Sequence, residues 1–198
     1  MLKSSYTGYL IEAGIDEAGR GCYAGPVFAA AVIFSKDYKN PLINDSKKIS
    51  EIKRYTIRSQ IEKDALAYAI AKVDNEKIDE INILNASYLA MNKAVEQLKT
   101  EPLLLLVDGN RFLNHTAIKH QCIVKGDQKY LSIAAASILA KTYRDEYMGI
   151  LHEEFPMYDW KNNKGYPTRK HKIAIARFGI TQYHRKSFNI NEQLKLFQ

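Results

Sequence analysis

The run LLLLV at 103–107 constrains this chain more than any other stretch, because five consecutive apolar residues closed by Pro102 and Asp108 leave no polar face to present to water. Such a run reads as a central parallel strand buried on both sides, and it needs helices above and below it. Two segments qualify as those helices. Over 82–99, Ile83, Leu84, Tyr88, Met91, Val95 and Leu98 recur at helical spacing behind a capping Asn82. Over 130–152, the small apolar sequence SIAAASILA can pack closely on a sheet. The fold class is therefore α/β. At five residues the run is far too short to cross a bilayer.

The remaining pattern fills in the layers. YLIEAGID (9–16) and GPVFAAAVIF (25–34) flank a glycine-rich turn and predict a β-hairpin entering the sheet. A further strand is expected at 66–73, a polar loop followed by a helix over 45–63, and a short alternating strand at 119–124. The last stretch, with GYPTRKH and HRKSF, reads as helices joined by basic loops. With no internal repeat or linker, 1–198 is expected to be one domain, its core about 1–155 and its helical C-terminal segment about 156–198.

Composition excludes few classes: 46% hydrophobic and 26% charged residues suit a water-soluble globule rather than a disordered or membrane chain. A formal charge of +7 attracts polyanions, nucleic acid first among them, although good solubility alone would also account for it. Cys22 and Cys122 have neither zinc spacing nor the density of a disulfide scaffold, which points to free thiols and a cytoplasmic location. The N-terminal stretch has neither signal-peptide nor anchor character. The five histidines form no HExxH-type motif, so zinc chemistry is disfavoured, and neither a GxSxG elbow nor a P-loop occurs.

Chemistry is written in the carboxylates. Asp16 and Glu17 stand side by side at the end of an apolar strand, where they repel each other unless a cation intervenes. For an isolated Asp-Glu pair, two solvated acids at a strand end is the ordinary alternative. Asp108 ends the buried strand, the edge at which open α/β sheets assemble their sites, although Asp-Gly is also a common turn. Asp127 and Asp145 compete to be a further ligand. They are 18 residues apart across one expected helix, about 27 Å at a helical rise, so only one can serve. Asp127 follows the strand expected beside that of Asp108 and is preferred; Asp145 is assigned to a local surface pair with Arg144 or Lys141. Clustered carboxylates suit Mg²⁺ or Mn²⁺, and two such ions would serve phosphodiester hydrolysis.

GIDEAGRGCYAGPV resembles the signature segment of the ribonuclease HII family. Matching segments follow in the family's order: NDSKKIS, INILNASYLAMNKAV, LLVDGN, VKGDQKY, SIAAASILAKTYRDEYM, GYPTRKH and HRKSF. The resemblance implies a ribonuclease H-like fold, a mixed sheet flanked by helices, with a helical C-terminal extension that docks hybrid nucleic acid. It implies Asp16, Glu17, Asp108 and Asp127 as the catalytic and metal-binding acids. Neighbours on a strand point to opposite faces, so Glu17 joins by its side chain only where the strand bends. Gly19, Arg20 and Gly21 match the GRG motif whose backbone meets the ribose 2'-hydroxyl and the adjoining phosphate, and close approach is what glycines allow. Ribonuclease HIII has a different residue where Arg20 stands and usually an extra N-terminal domain, so the resemblance is to HII.

Tyr166 matches the tyrosine that stacks on the sugar at a ribonucleotide–deoxyribonucleotide junction, beside Pro167 where the family more often has glycine. Asn44, Ser46, Lys47, Ser137 and Lys141 match positions near the nucleic-acid backbone, whose phosphates suit hydroxyl and ammonium partners. The C-terminal Lys161, Lys164, Arg169, Lys170, His171, Arg185 and Lys186, interleaved with Trp160, Tyr166 and Tyr183, could track a strand, but each taken singly reads as a solvated surface charge. The implied activity is incision of RNA/DNA hybrids and of DNA 5' to embedded ribonucleotides by a monomer using Mg²⁺ or Mn²⁺. The rivals are a resolvase- or integrase-like nuclease and a noncatalytic hybrid binder. NINEQLKLFQ at the C-terminus reads as a last helical turn or frayed end, with a partner-binding tail as the alternative.

Overall fold

The computed structural model describes residues 2–44, 49–188 and 190. Ser46, Lys47 and, apart from Ile190, the C-terminal tail thus lie outside the described residues. Five strands form one sheet: β1 (Glu12–Ala18), β2 (Val27–Ile33), β3 (Ala67–Val73), β4 (Leu104–Asp108) and β5 (Lys119–Ile123), in the order β3-β2-β1-β4-β5. The hairpin β1–β2 and the pair β2–β3 are antiparallel, whereas β4 runs parallel to both β1 and β5. The apolar run therefore sits between two parallel neighbours, and Leu105, Leu106 and Val107 are wholly buried.

Alternation divides the sheet between two helical layers. Ala13 and Ile15 of β1, with Val27, Ala29, Ala31 and Ile33 of β2, pack on α2 (Asn75–Glu96). Ala30 and Val32 face α3 (Leu131–Glu154) and α1 (Glu51–Asp64). The first strand begins and ends later than its apolar pattern predicts, because Glu12 turns back to cap residues 6 and 7. Its carboxylate accepts from the Tyr6 and Thr7 amides at 2.7 and 2.6 Å. Asp16 and Glu17 consequently lie within the strand, paired with Ala30 and Ala29.

Asn82 caps a helix as its sequence predicts, its Oδ1 accepting from the Leu84 and Asn85 amides at 3.0 and 3.1 Å. About two further turns precede it, started by Asp74 at the Lys77 amide, so α2 is kinked at Asn82 (φ 65°). Asparagine tolerates positive φ better than most residues.

The close approach of α3 to the sheet depends on Gly14. A Cβ there would stand 2.2 Å from the Ser132 carbonyl carbon and 2.3 Å from the Ile133 nitrogen. Gly14→Ala should therefore destabilise the protein by about 1–3 kcal/mol or more through overpacking, read as a lower urea midpoint at unchanged m-value. C-terminal to α3 come two short elements, α4 (Trp160–Asn163) and α5 (Arg169–Phe178), the latter capped by Thr168 Oγ1 accepting from the His171 amide at 3.2 Å. Among the described residues no helix is long and apolar enough to cross a membrane.

Candidate active site

Because β1 and β4 are parallel neighbours in the register Ile15↔Val107, Asp16 and Asp108 each come one residue after that pair and stand side by side. The 3₁₀ turn Gly126–Gln128 follows β5 and brings Asp127, buried, to the same end of the sheet. Two main-chain amides aim the acids: Asp16 Oδ1 accepts from Glu17 N, and Asp108 Oδ1 from Gly126 N, both at 2.7 Å. Asp16 points to the α3 side, where the Ser137 hydroxyl bonds it. Glu17 points to the α2 side and is held by Arg20 Nη1 at 3.1 Å.

Burial pushes the Asp16 carboxyl well above the usual carboxylate range, with repulsion from Glu17 and Asp108 adding to it. Glu17 is raised for the same first reason and by Asp108, while Arg20 opposes the shift. These are acids that resist being charged together without a cation.

One groove of about 270 Å³ is lined by all four acids, by Gly19, Arg20 and Gly21, and by Ser137, Lys141 and Tyr166. Asn44 is elsewhere, bordering a separate cavity with Asn40 and Gln128. Glu17 and Asp108 also border a second cavity of about 250 Å³ on the α2 side, with Arg111 on its rim. Among the described residues no three His, Cys, Asp or Glu side chains close into a metal-ligating group. The oxygen-only donor set and its mutual repulsion nonetheless suit a hard divalent ion that keeps several waters and takes few protein ligands.

Lys141 is half-buried, its ammonium bound by both oxygens of Asp145 at 2.5 and 2.7 Å. Desolvation pulls Lys141 down and Asp145 opposes that pull. The predicted Lys141–Asp145 pairing is present, but Asp145 is buried rather than on the helix surface. Arg144 is not its partner. Buried at 1% exposure, the Arg144 guanidinium donates to Pro26 O at 2.9 Å, Ala24 O at 3.1 Å and Lys164 O at 2.8 Å. Gly19 (φ 98°) lies directly over it, for a Cβ there would be 2.0 Å from Arg144 Nε.

Arg185, His171 and Trp160, expected among strand-tracking surface groups, are fully buried. Arg185 donates to Gly25 O at 3.0 Å and Arg20 O at 2.8 Å, so it braces the GRG turn from beneath. Burial draws its pKa down to about 10. These bracing cations were missed because a local window marks them only as basic. Arg54 of α1, which also lines the groove, carries no signal in the sequence.

Under the groove, His171 and His184 are both wholly buried. Desolvation, then the neighbouring imidazole, holds His184 down to about 3. The unfolded histidine takes a proton near pH 6.5 and the folded one does not, so stability is lost as pH falls below 6.5. About 2 kcal/mol should disappear between pH 6.5 and 5. Urea melts at the two pH values check this, and a His184→Gln variant should show a correspondingly smaller loss.

Comparison with known proteins agrees with the geometry. The Ribonuclease HII family model matches residues 13–191. The ribonuclease HII of Bacteroides fragilis is 63% identical over 190 residues, covering 95% of this chain and 94% of that protein. The structure of the PCNA:RNase HII complex from Archaeoglobus fulgidus superposes with a TM-score of 0.76 at 28% identity, covering 91% of this chain and 96% of that one. Bst-RNase HIII in complex with Mn²⁺ shares the fold at a TM-score of 0.74 and 19% identity, over 95% of this chain and 70% of that one. With a ribonuclease H-like mixed sheet, acids gathered at one edge and near-complete coverage by such relatives, the chain belongs to the ribonuclease HII family, whose members are ribonuclease H hydrolases.

Proposed function

We propose that the groove incises the RNA strand of RNA/DNA hybrids, and DNA on the 5' side of an embedded ribonucleotide, leaving a 3'-hydroxyl and a 5'-phosphate. The observation that carries the reading is the meeting of the four acids with the GRG turn and Tyr166 in one groove. Asp16, Glu17, Asp108 and Asp127 would hold two Mg²⁺ or Mn²⁺ ions; the Mn²⁺ in the structurally similar Bst-RNase HIII supports this choice. When bound, such ions supply a water-derived nucleophile and charge stabilisation at phosphorus.

The chain's own part is to place the strand. Backbone at Gly19 and Gly21, unhindered by side chains, takes the 2'-hydroxyl that distinguishes RNA from DNA. The Tyr166 ring, 40% exposed, stacks on the sugar beyond the cut. Ser137 and Lys141 line the groove through which the phosphates would pass; Asn44, Ser46 and Lys47 would be further phosphate partners, and the 156–198 segment would serve as the docking surface. Pro167 suits its place. The Thr168 amide reaches back across it to Tyr166 O at 2.8 Å, a turn that proline's fixed φ accommodates, and no peptide bond among the described residues is cis.

The same reading makes the enzyme a cytoplasmic monomer, in keeping with two unpaired thiols. A sliding clamp is a candidate partner because the A. fulgidus relative was solved with PCNA. The test is cleavage of a DNA duplex carrying one ribonucleotide, beside an all-DNA control, in Mg²⁺, Mn²⁺ or EDTA. Metal-dependent incision 5' to the ribonucleotide and none in the control is expected. Equal cutting of the all-DNA duplex would favour a resolvase-like nuclease, and binding without turnover in any metal a noncatalytic binder.

A further inference from the structure

The groups around the two buried histidines assign a proton to one nitrogen of each ring. Trp160 Nε1, which can only donate, lies 3.0 Å from His171 Nε2, so that nitrogen is an acceptor. His171 Nδ1 lies 2.9 Å from the Tyr166 carbonyl oxygen and must therefore carry the proton. On the other ring, His184 Nδ1 receives the Thr181 amide at 2.9 Å, which leaves the proton on Nε2. That Nε2 stands 3.2 Å from His171 Nε2, whose single lone pair it shares with the closer Trp160 N–H. The chain of protons thus runs one way, from the Thr181 amide through His184 and His171 to Tyr166 O. Each ring has one tautomer that satisfies it, and both are neutral.

The chain ends on the backbone of the residue that presents its ring to the groove. Tyr166 is held at three further points: its amide donates to Asn163 O at 2.9 Å, its carbonyl also receives the Thr168 amide at 2.8 Å, and its hydroxyl meets the buried Cys22 thiol. Of these contacts, the one from His171 ties the Tyr166 turn to α5 and, through His184, to the loop at 181–184.

We propose that His171, oriented by His184 and Trp160, is a positioning residue that sets Tyr166 and through it the preference for a ribonucleotide–deoxyribonucleotide junction. This rests on the reading of Tyr166 given above. Two substitutions separate position from bulk. The amide nitrogen of asparagine can occupy the place of Nδ1, so His171→Asn keeps the donor to Tyr166 O. In glutamine the amide oxygen takes the place of the Nε2 acceptor for Trp160, so His171→Gln keeps that contact and removes the donor to Tyr166 O.

The readout is the ratio of kcat/KM on a single-ribonucleotide DNA duplex to kcat/KM on a uniform RNA/DNA hybrid. Both substrates meet the same preparation, so a reduced folded fraction cancels. Tyr166→Ala gives the floor. Losing one hydrogen bond of about 1.4 kcal/mol corresponds to a fall of about tenfold in that ratio for His171→Gln, while His171→Asn should keep it. A wild-type ratio in His171→Gln alongside a lowered one in Tyr166→Ala overturns the proposal and spares the reading of Tyr166. An unchanged ratio in Tyr166→Ala overturns both. Independently of any variant, ¹⁵N NMR of the wild-type histidines should show the Nδ1–H tautomer for His171 and the Nε2–H tautomer for His184; the reverse assignment overturns the proposal.

Discussion

An Asp16→Asn enzyme should lose cleavage by about 10³-fold or more, since several kcal/mol of charge stabilisation goes with the ligand, and should become more stable in EDTA. Both effects follow from one environment. Asp16 is buried, and Glu17 and Asp108 repel its charge. The folded state therefore keeps the Asp16 proton to higher pH than the unfolded chain, which releases it near pH 3.9. Stability therefore falls as pH rises from there through the raised folded-state pKa.

Asparagine removes the charge and keeps an oxygen for the Glu17 amide. Thermal melts in EDTA at pH values rising from about 4 should show Asp16→Asn gaining on wild type, opposite in sign to the histidine effect. Added Mn²⁺ should raise the wild-type Tm and raise the variant's less, because binding to the folded state alone stabilises it. Asp108→Asn should match it in activity. Wild-type rates in either variant would remove that acid from the chemistry.

Arg144→Met should be the most destabilising substitution of a charged residue. It strands the carbonyls of Ala24, Pro26 and Lys164, which bracket the GRG turn and the approach to Tyr166. With three buried acceptors unpaired, a loss of about 3–5 kcal/mol is expected, which for a chain of this length lowers Tm by on the order of 10 °C. Arg144→Lys should recover little, because an ammonium cannot reproduce the planar fork that reaches three separate segments. Differential scanning calorimetry of the three proteins checks the order. A Tm for Arg144→Met within a degree or two of wild type would mean that the loops hold without the guanidinium.

The sequence by itself determined the layers and the edge at which the acids meet. An apolar run with no polar face reads as a covered strand, and Leu105, Leu106 and Val107 are wholly buried with Asp108 at the strand's end, although Leu103 lies outside the strand and is exposed. Asn82 could be read as a cap because capping is satisfied within three residues of chain. The pairing of Lys141 with Asp145 was legible for the same reason, being one helical turn.

Tertiary structure alone decided which charges are interior. Arg144, Arg185, His171 and Asp145 look like surface residues in any short window, because desolvating them is costly unless partners are supplied. The carbonyls that Arg144 bonds at Pro26 and Ala24 lie 118 and 120 residues away in sequence, and the one Arg185 bonds at Arg20 lies 165 away. No local pattern encodes such distances. Nor could the sequence set the tautomers of His171 and His184, which follow only once Trp160, Tyr166 and Thr181 are brought around the two rings.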